Sequence, residues 1–483
     1  MHLPSIARYA QPCAFPERIL QFGTGALLRG LPDAIIDRAN AAGRFNGSIV
    51  TVASTASGRG DVFADQAGLF THYVEGIADG QPVHEVWINR SLSRSLQAAT
   101  DWPAVMALAA DPGIGIILSN TTEVGLRYAP DDLQAHPPAT FPGKLTAFLY
   151  QRYHLLPDHP PVILPCELLV DNGTLLRDLV LRHAADHDLG PDFATWVATS
   201  VAFCNTLVDR IVTGTPAPAR KAAIEAQLGY ADDLLTVAEP YGLWAIEGGT
   251  AIEARLGFAF GDPHAFVVPD ITPYRERKLR ILNGSHTFLV GAGILAGKRT
   301  VKDCLDDPGL AAFLQGLIFD EIVPSLPPGV ADGAKFAAAV LDRFRNPSLD
   351  HQLLDIALQY TSKMAMRNVA SIVRYIETHG AAPQHMARGF AAYLHFCRPR
   401  RQEGARYCDS LPGRDYPLND AYAAWWDAQW QQFDPQRAGD WLAQVLRQSD
   451  VWGVDLDALP GWRQAVLAPF VQELEQISLS SAS

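Results

Sequence analysis

The sequence predicts two units in tandem, an α/β half with a buried parallel sheet over residues 1–271 and a mostly α-helical half over residues 272–483. Three observations carry this reading. Continuous apolar runs of strand length recur in the first half, each leading through turn residues toward a helical pattern. From Thr272 onward the apolar spacing is helical to the end, interrupted by proline and glycine breaks such as 324–329. A chain of 483 residues also exceeds what one ordinary core accommodates.

In chain order, Arg18 to Phe22 form a short apolar run that meets Gly23-Thr24-Gly25 and then the helical spacing Leu27, Leu28, Leu31, Ile35. Strand, glycine turn and helix in this order bring backbone N–H groups and a helix start to a pyrophosphate, the Rossmann-like way of holding a dinucleotide. Gly-x-Gly alone serves equally well as an ordinary tight turn, because the third glycine of the fingerprint is Leu28 here. A second strand, Ser48 to Ala53, ends at Ser54, Thr55, Ser57 and Arg59 rather than at the acid that commonly holds an NAD ribose, and Arg59 would suit a 2′-phosphate. The choice between NAD and NADP is therefore open at this point. Leu69 to Ile88 alternate like a hairpin around Ala78-Asp79-Gly80 and read as an insertion.

Ile114 to Leu118 is a buried strand that ends at Ser119-Asn120-Thr121-Thr122-Glu123. Ligands of doubly wound sheets sit beyond the carboxyl ends of strands, so Asn120 and Thr121 are candidate cofactor contacts; plain turn chemistry explains them as well. Pro161 to Cys166 is another such strand, leaving through Glu167 and Asp171-Asn172-Gly173, and Asn-Gly is usually just a turn.

The helical half starts at Thr272-Pro273, a capping hydroxyl followed by proline at the first helical position, and its first helix is expected to run to about Val290. At about 100° per residue, Lys278, Asn283 and His286 fall at about 0°, 140° and 80°, on one broad side. A lysine near Arg275, Arg277 and Arg280 suits proton transfer, an Asn amide suits an oxygen that becomes negative, and a His suits a substrate hydroxyl. Carbonyl reduction without a metal uses such a set. Lysines and arginines on a helix are also the usual make-up of a solvated face.

Composition narrows the classes. With 48% apolar and 19% charged residues the chain is expected to be globular, and a formal net charge of −13 disfavours nucleic acid or anionic membrane as partner. Cys13, Cys166, Cys204, Cys304, Cys397 and Cys408 are scattered without metal-ligand spacing and read as reduced thiols. No leader or membrane-length apolar run is seen, so a cytoplasmic protein is expected.

Six segments in order carry a resemblance: Ile19-Leu-Gln-Phe-Gly-Thr-Gly25 with Arg29; Ser119-Asn-Thr-Thr-Glu123; Pro165-Cys-Glu-Leu168 with Asn172-Gly173; Phe203 to Gly214; Lys278-Leu-Arg-Ile-Leu-Asn-Gly-Ser-His-Thr287; and Arg343-Phe-Arg-Asn-Pro347 with His351 and Lys363. Together they resemble the mannitol dehydrogenase family of polyol-specific long-chain dehydrogenases, over nearly the whole chain. The resemblance implies an oxidoreductase in which Lys278 is the general acid/base, Asn283 and Asn172 hold the reacting oxygen, and His286 positions a hydroxyl. It further implies a cofactor loop of Phe22, Gly23, Thr24, Gly25, Ala26 and Arg29, with Asn120, Thr121, Asn205, Asp209 and Arg210 as walls of the cofactor cleft. A buried ion pair accounts for Asp209 and Arg210 equally well.

Cys-Glu-Leu, in place of the Cys-Asp-Asn of the mannitol and fructuronate branches, points within the family to NAD-dependent reduction of the hexulosonate tagaturonate to the aldonate altronate. Its carboxylate would meet Lys363, Arg345 or Arg367, with His351 nearby; a surface charge on a helix is the bland alternative for each. Asp355 stands where mannitol-active relatives carry arginine, which argues against a mannitol-type pocket. The resemblance implies a monomer. Rival readings are a sibling activity on fructuronate or a free polyol, a Tyr274-x-x-x-Lys278 pair of the short-chain dehydrogenase type, and a sugar- or nucleotide-binding protein without catalysis.

Overall fold

The computed structural model describes residues 3–12, 14–53, 60–121, 125–130, 132–349, 351–404, 406–411 and 414–481. The readings placed on Ser54, Thr55, Ser57, Arg59, Thr122, Glu123 and Cys13 lie outside these residues. The chain divides into two compact units, one of residues 1–76 and 81–271, the other of residues 77–80 and 272–483.

The first unit is built on a six-stranded, all-parallel sheet of Glu17–Phe22, Ser48–Ala53, Leu92–Gln97, Ile116–Ser119, Val162–Pro165 and Ala202–Phe203. Counted along the chain, these strands lie in the order 3-2-1-4-5-6 across the sheet, the doubly wound arrangement of dinucleotide-binding folds. Period-two alternation fills both faces. Leu20, Phe22, Val50, Val52, Ile117 and Ile163 enter one core with Phe141, Phe148, Leu176 and Val180 of the covering helices. Ile19, Ile49, Leu118, Val162 and Leu164 enter the other with Leu31, Ile35 and Trp244. Both faces of the central strands are buried, which is why Ile116–Ser119 and Val162–Pro165 are almost wholly apolar, whereas the edge strand Leu92–Gln97 carries Ser93, Arg94 and Ser95.

The expected hairpin is present as Phe70–Ala78 and Gln81–Asn89, turning at Asp79 and Gly80 with φ of 51° and 71°. Two successive positive φ values match the right-handed twist of a hairpin. The hairpin joins Thr236–Ala238 and Val212–Gly214 in a four-stranded sheet, and Thr206–Asp209, Leu243–Glu247 and Ala265–Val268 make a further three-stranded one.

Inside the first unit Asp33 is fully buried, and that burial pushes its carboxyl up to about 8, outweighing the Gln21 amide and the Arg29 guanidinium that favour its charge. An unfolded Asp ionises near 3.8. Between these values the folded unit holds a proton the unfolded chain has released. The contribution of Asp33 to stability is therefore fully present below about pH 4, is lost as pH rises toward about 8 and stays lost above it. Asp33→Asn is expected to flatten that slope and to raise stability at neutral pH by up to about 4 kcal/mol. Denaturant midpoints of wild type and variant at about pH 5 and about pH 8 check this, and equal slopes would contradict it.

The second unit is mostly helical, with one departure from the helical expectation: Arg401–Glu403, Arg406–Leu411 and Arg414–Pro417 form a small antiparallel sheet. At its centre Ser285–Leu295 packs on Gln384–Phe396 backbone to backbone. A Cβ on Gly291 would lie 2.7 Å from the Ala392 carbonyl carbon, and one on Gly389 would lie 2.9 Å from Phe288. The Tyr360 hydroxyl donates to the Thr287 carbonyl at 2.6 Å and accepts from the Gly291 N–H at 3.0 Å. Those two groups are an i, i+4 pair, so a side chain stands in one rung of the helical ladder. Among the described residues no helix is long and apolar enough to cross a membrane, and the described cysteines are buried and form no disulfide.

Candidate active site

In the first unit the strand order reverses between Glu17–Phe22 and Ile116–Ser119, the point where open α/β sheets hold their ligands. Gly23 leaves the first strand at φ 124°, and a Cβ there would lie 3.0 Å from the Leu28 side chain and 3.1 Å from the Asn120 carbonyl. Only glycine fits that turn. At Gly25 a Cβ would meet nothing within 4 Å, so the backbone before Ala26–Gly30 stands open.

The residues around the turn brace it. Arg29 is buried and donates from Nη1 to the Thr24 carbonyl at 2.6 Å and from Nε to Thr236 Oγ1 at 2.9 Å. Asn120 Nδ2 donates to the Cys166 carbonyl at 2.7 Å. Glu167, which the sequence offered only as a branch marker, is the hub of the reversal point. Its carboxylate accepts from the Thr121 N–H at 2.8 Å, from Thr121 Oγ1 at 3.1 Å and from Ser119 Oγ at 3.1 Å. Burial raises its pKa against the pull of those bonds.

Two residues of the expected cofactor cleft are buried, Asp209 and Arg210. Arg210 donates to the Glu239 and Gly30 carbonyls, both at 2.9 Å, and burial lowers its pKa to about 10. It is a structural tie. Asn205 accepts from the Thr174 N–H at 3.0 Å through Oδ1 and donates to Glu247 at 3.2 Å. Asn172 departs from its expected role as a donor to substrate. It is 1% exposed; Nδ2 faces the carbonyls of Pro165 and Glu167 at 3.0 Å and of Thr206 at 3.2 Å, while Oδ1 accepts from the Gly173 and Thr206 N–H groups. An amide has two N–H bonds to give, and three buried carbonyls already compete for them. Asn172 holds the strand exit together.

In the second unit the first helix is not one continuous α-helix. It runs as α-helix Thr272–Arg277, π-helix Lys278–Gly284 and α-helix Ser285–Leu295. In a π-turn the hydrogen bond joins residues five apart, so Lys278 and Asn283 become one-turn neighbours instead of lying about 140° apart. A second π-segment, Ala365–Val369, lies against the first: a Cβ on Gly284 would fall 2.7 Å from Asn368 Oδ1. Arg280 bridges the two, pairing with Glu276 at 3.0 Å and donating from Nη1 to the Met366 and Arg367 carbonyls at 2.9 and 2.8 Å. Arg277 lies over the Phe336 ring, 4.8 Å from its centroid. Lys278 and Asn283 are half-buried.

His286 is buried, stacked on Phe344 at 4.1 Å and edge-on to His351 at 4.8 Å, and its Nε2 has no hydrogen-bond partner among the described residues. Burial first, then the charges of His351, Arg343, Arg367 and Lys363, hold its pKa well below the ordinary value, so the ring is neutral at physiological pH. Around it, Lys363 Nζ donates to the Ile356 carbonyl at 2.9 Å and Arg367 Nη1 to Thr287 Oγ1 at 3.2 Å. Burial lowers the pKa of both.

Arg345 is a correction. Its side chain is 51% exposed and lies 3.8 Å from Asp342. Arg343, 4% exposed on the same helix, is the arginine whose charge acts on His286 and His351. Two positions apart on a helix is about 200°, so when one faces inward the other cannot. The signal was in the sequence, in the apolar spacing of Gly333–Arg345, whose buried face includes Phe336, Val340 and Arg343.

Two family models match the chain, the mannitol dehydrogenase Rossmann domain over residues 17–258 and the mannitol dehydrogenase C-terminal domain over residues 270–478. The chain belongs to the mannitol dehydrogenase family. Similar relatives include the altronate oxidoreductase of Bacillus subtilis (strain 168), 38% identical over 97% of this chain and 95% of the relative. Another is that of Klebsiella pneumoniae subsp. pneumoniae, 37% identical over 94% of each. Among solved structures, a D-sorbitol dehydrogenase covers 100% of both chains with a TM-score of 0.78 at 24% identity. Pseudomonas fluorescens mannitol 2-dehydrogenase, in ternary complex with NAD and D-mannitol, covers 97% of this chain and 94% of that one with a TM-score of 0.66 at 24% identity. These two likenesses establish the fold.

As a mannitol dehydrogenase family member the chain is an oxidoreductase acting on CH–OH groups, a polyol-type dehydrogenase of small molecules that uses a nicotinamide dinucleotide. The open backbone at Gly25 and the glycine-only turn at Gly23 fit such a cofactor. Among the described residues no group of three or more His, Cys, Asp or Glu is arranged to hold a metal ion.

Proposed function

We propose that the protein reduces tagaturonate to altronate with NADH, reversibly. What carries the reading is that altronate oxidoreductases are 37–38% identical over nearly its full length. The cationic surroundings of His286 support it, because a hexulosonate differs from a neutral ketose by one carboxylate. In this reading the backbone of Phe22 to Ala26 and the Asn120–Thr121 segment hold the dinucleotide, with Asp209 as a further wall and Arg29 positioning the turn. When bound, the reduced nicotinamide supplies a hydride.

The second unit supplies the rest. Lys278 Nζ gives a proton to the substrate carbonyl oxygen as that oxygen gains charge, and takes it back in oxidation. The Asn283 amide donates to the same oxygen; its side chain makes no hydrogen bond among the described residues. Neutral His286 offers Nε2 to a neighbouring hydroxyl, and Arg367, Lys363 and Arg343, with His351, receive the carboxylate.

A panel of tagaturonate, fructuronate, fructose and mannitol, each with the NADH or NADPH pair, tests the assignment. Tagaturonate with NADH is expected to exceed fructose in kcat/KM by about 10³-fold, since cations left facing a neutral group lose their partner. A preference for fructose or for fructuronate would replace the assignment with the sibling activity.

A further inference from the structure

At the amino-terminal ends of the same parallel strands lies a cavity of 460 Å³, lined by Arg18, Arg44 and Arg255 and otherwise by Phe45, Asn46, Ile116, Ala254 and glycines. It is at the opposite end of the strands from the Gly23 turn: Arg18 is the second residue of the first strand, Asn46 precedes the second and Gly115 precedes the fourth, its N–H bonded to the Arg18 carbonyl at 3.1 Å. Ligands of the cofactor type occupy the carboxyl ends, so this cavity is separate from that function.

The three arginines come from separate stretches of chain and are exposed, and the guanidiniums of Arg18 and Arg255 are each tied to a backbone carbonyl. The Arg18 stem lies over Gly47, where a Cβ would be 2.8 Å from its Cδ, and its Nε donates to the Asn46 carbonyl at 2.7 Å, leaving the Nη groups for another partner. Arg255, in the last turn of Thr250–Leu256, is tied through Nη2 to the Pro160 carbonyl. Arg44 follows Gly43 at φ 67°, with its N–H on the Ala39 carbonyl at 2.8 Å. No acidic side chain lines the cavity, and none of the three arginines forms an ion pair among the described residues. In a chain of net charge −13, three convergent arginines without a carboxylate are an unmet demand for an anion.

We propose that this cavity is a binding site for a small sugar phosphate. The guanidinium N–H groups that Arg18, Arg44 and Arg255 have left match the several oxygens of a phosphomonoester, and the carbonyls of Gly43 and Gly113, which accept no hydrogen bond among the described residues, can take sugar hydroxyls. Phe45, the aromatic residue of the lining, packs at right angles to Phe258 with centroids 5.7 Å apart, so AMP is the control that reads whether a nucleobase adds to binding. The site is independent of the reaction assigned above.

Calorimetry of the protein saturated with NADH tests the proposal, with glucose 6-phosphate as probe and glucose and AMP as controls. Saturable one-to-one binding of glucose 6-phosphate is expected, without detectable binding of glucose. Arg44→Glu and Arg255→Glu, both on exposed side chains, are each expected to weaken it by at least about tenfold while kcat for the dehydrogenase reaction is unchanged. Absence of glucose 6-phosphate binding overturns the proposal. So does binding that both variants leave unaltered, or tighter binding of AMP.

Discussion

Lys278→Ala is expected to lower kcat for ketone reduction by about 10²- to 10⁴-fold while NADH affinity stays within about twofold. The reasoning begins with the backbone. Lys278 opens the π-segment Lys278–Gly284, and a π-turn brings Asn283 to the position one turn on. A proton donor and a neutral amide donor are then adjacent, the pairing a forming alkoxide needs. Removing the ammonium leaves the amide and the substrate's other contacts in place, so the loss falls on turnover. Stopped-flow NADH oxidation together with fluorescence titration of NADH separates the two effects; a variant that loses both equally would point to a folding role. Tyr274→Phe, by contrast, is expected to leave turnover within about twofold, which a short-chain-type tyrosine-lysine mechanism would not allow.

Arg367→Leu is expected to raise KM for tagaturonate by about 10²-fold and to leave the slow reaction with fructose nearly unchanged. Arg367 is half-buried, with its carbonyl held by Arg280 and its Nη1 on Thr287, the residue next to His286. A guanidinium so fixed loses little freedom when it takes up a carboxylate. Arg367→Lys, which keeps the charge and loses the planar fork, is expected to fall between wild type and the leucine variant. Equal losses on tagaturonate and fructose would assign Arg367 to structure instead.

The contrast between what the sequence made legible and what it concealed follows from how local each feature is. The parallel sheet could be read because strands buried on both faces must be apolar without interruption, as in Ile116–Ser119 and Val162–Pro165. The hairpin was readable from Asp79-Gly80 for an equally local reason. The π-segment was not, because it depends on packing between distant stretches: Gly284 admits Asn368, and Arg280 takes the Met366 and Arg367 carbonyls. Asn172 could not be separated from a substrate donor, since its three carbonyl partners come from Pro165, Glu167 and Thr206. Arg345 was preferred to Arg343 where the buried spacing of their own helix decides for Arg343. Glu167 passed as a branch marker because its partners, Ser119 and Thr121, are 46–48 residues away.

Chemical rescue of Lys278→Ala by a small primary amine measures the role of the ammonium most directly. With NADH and tagaturonate saturating, added ethylamine is expected to restore turnover in proportion to its protonated fraction, while Lys278→Arg stays slow because its guanidinium does not release a proton near neutral pH. Turnover in the alanine variant that is close to wild type without any amine, or that no amine concentration improves, would contradict the assignment of Lys278 as the proton carrier.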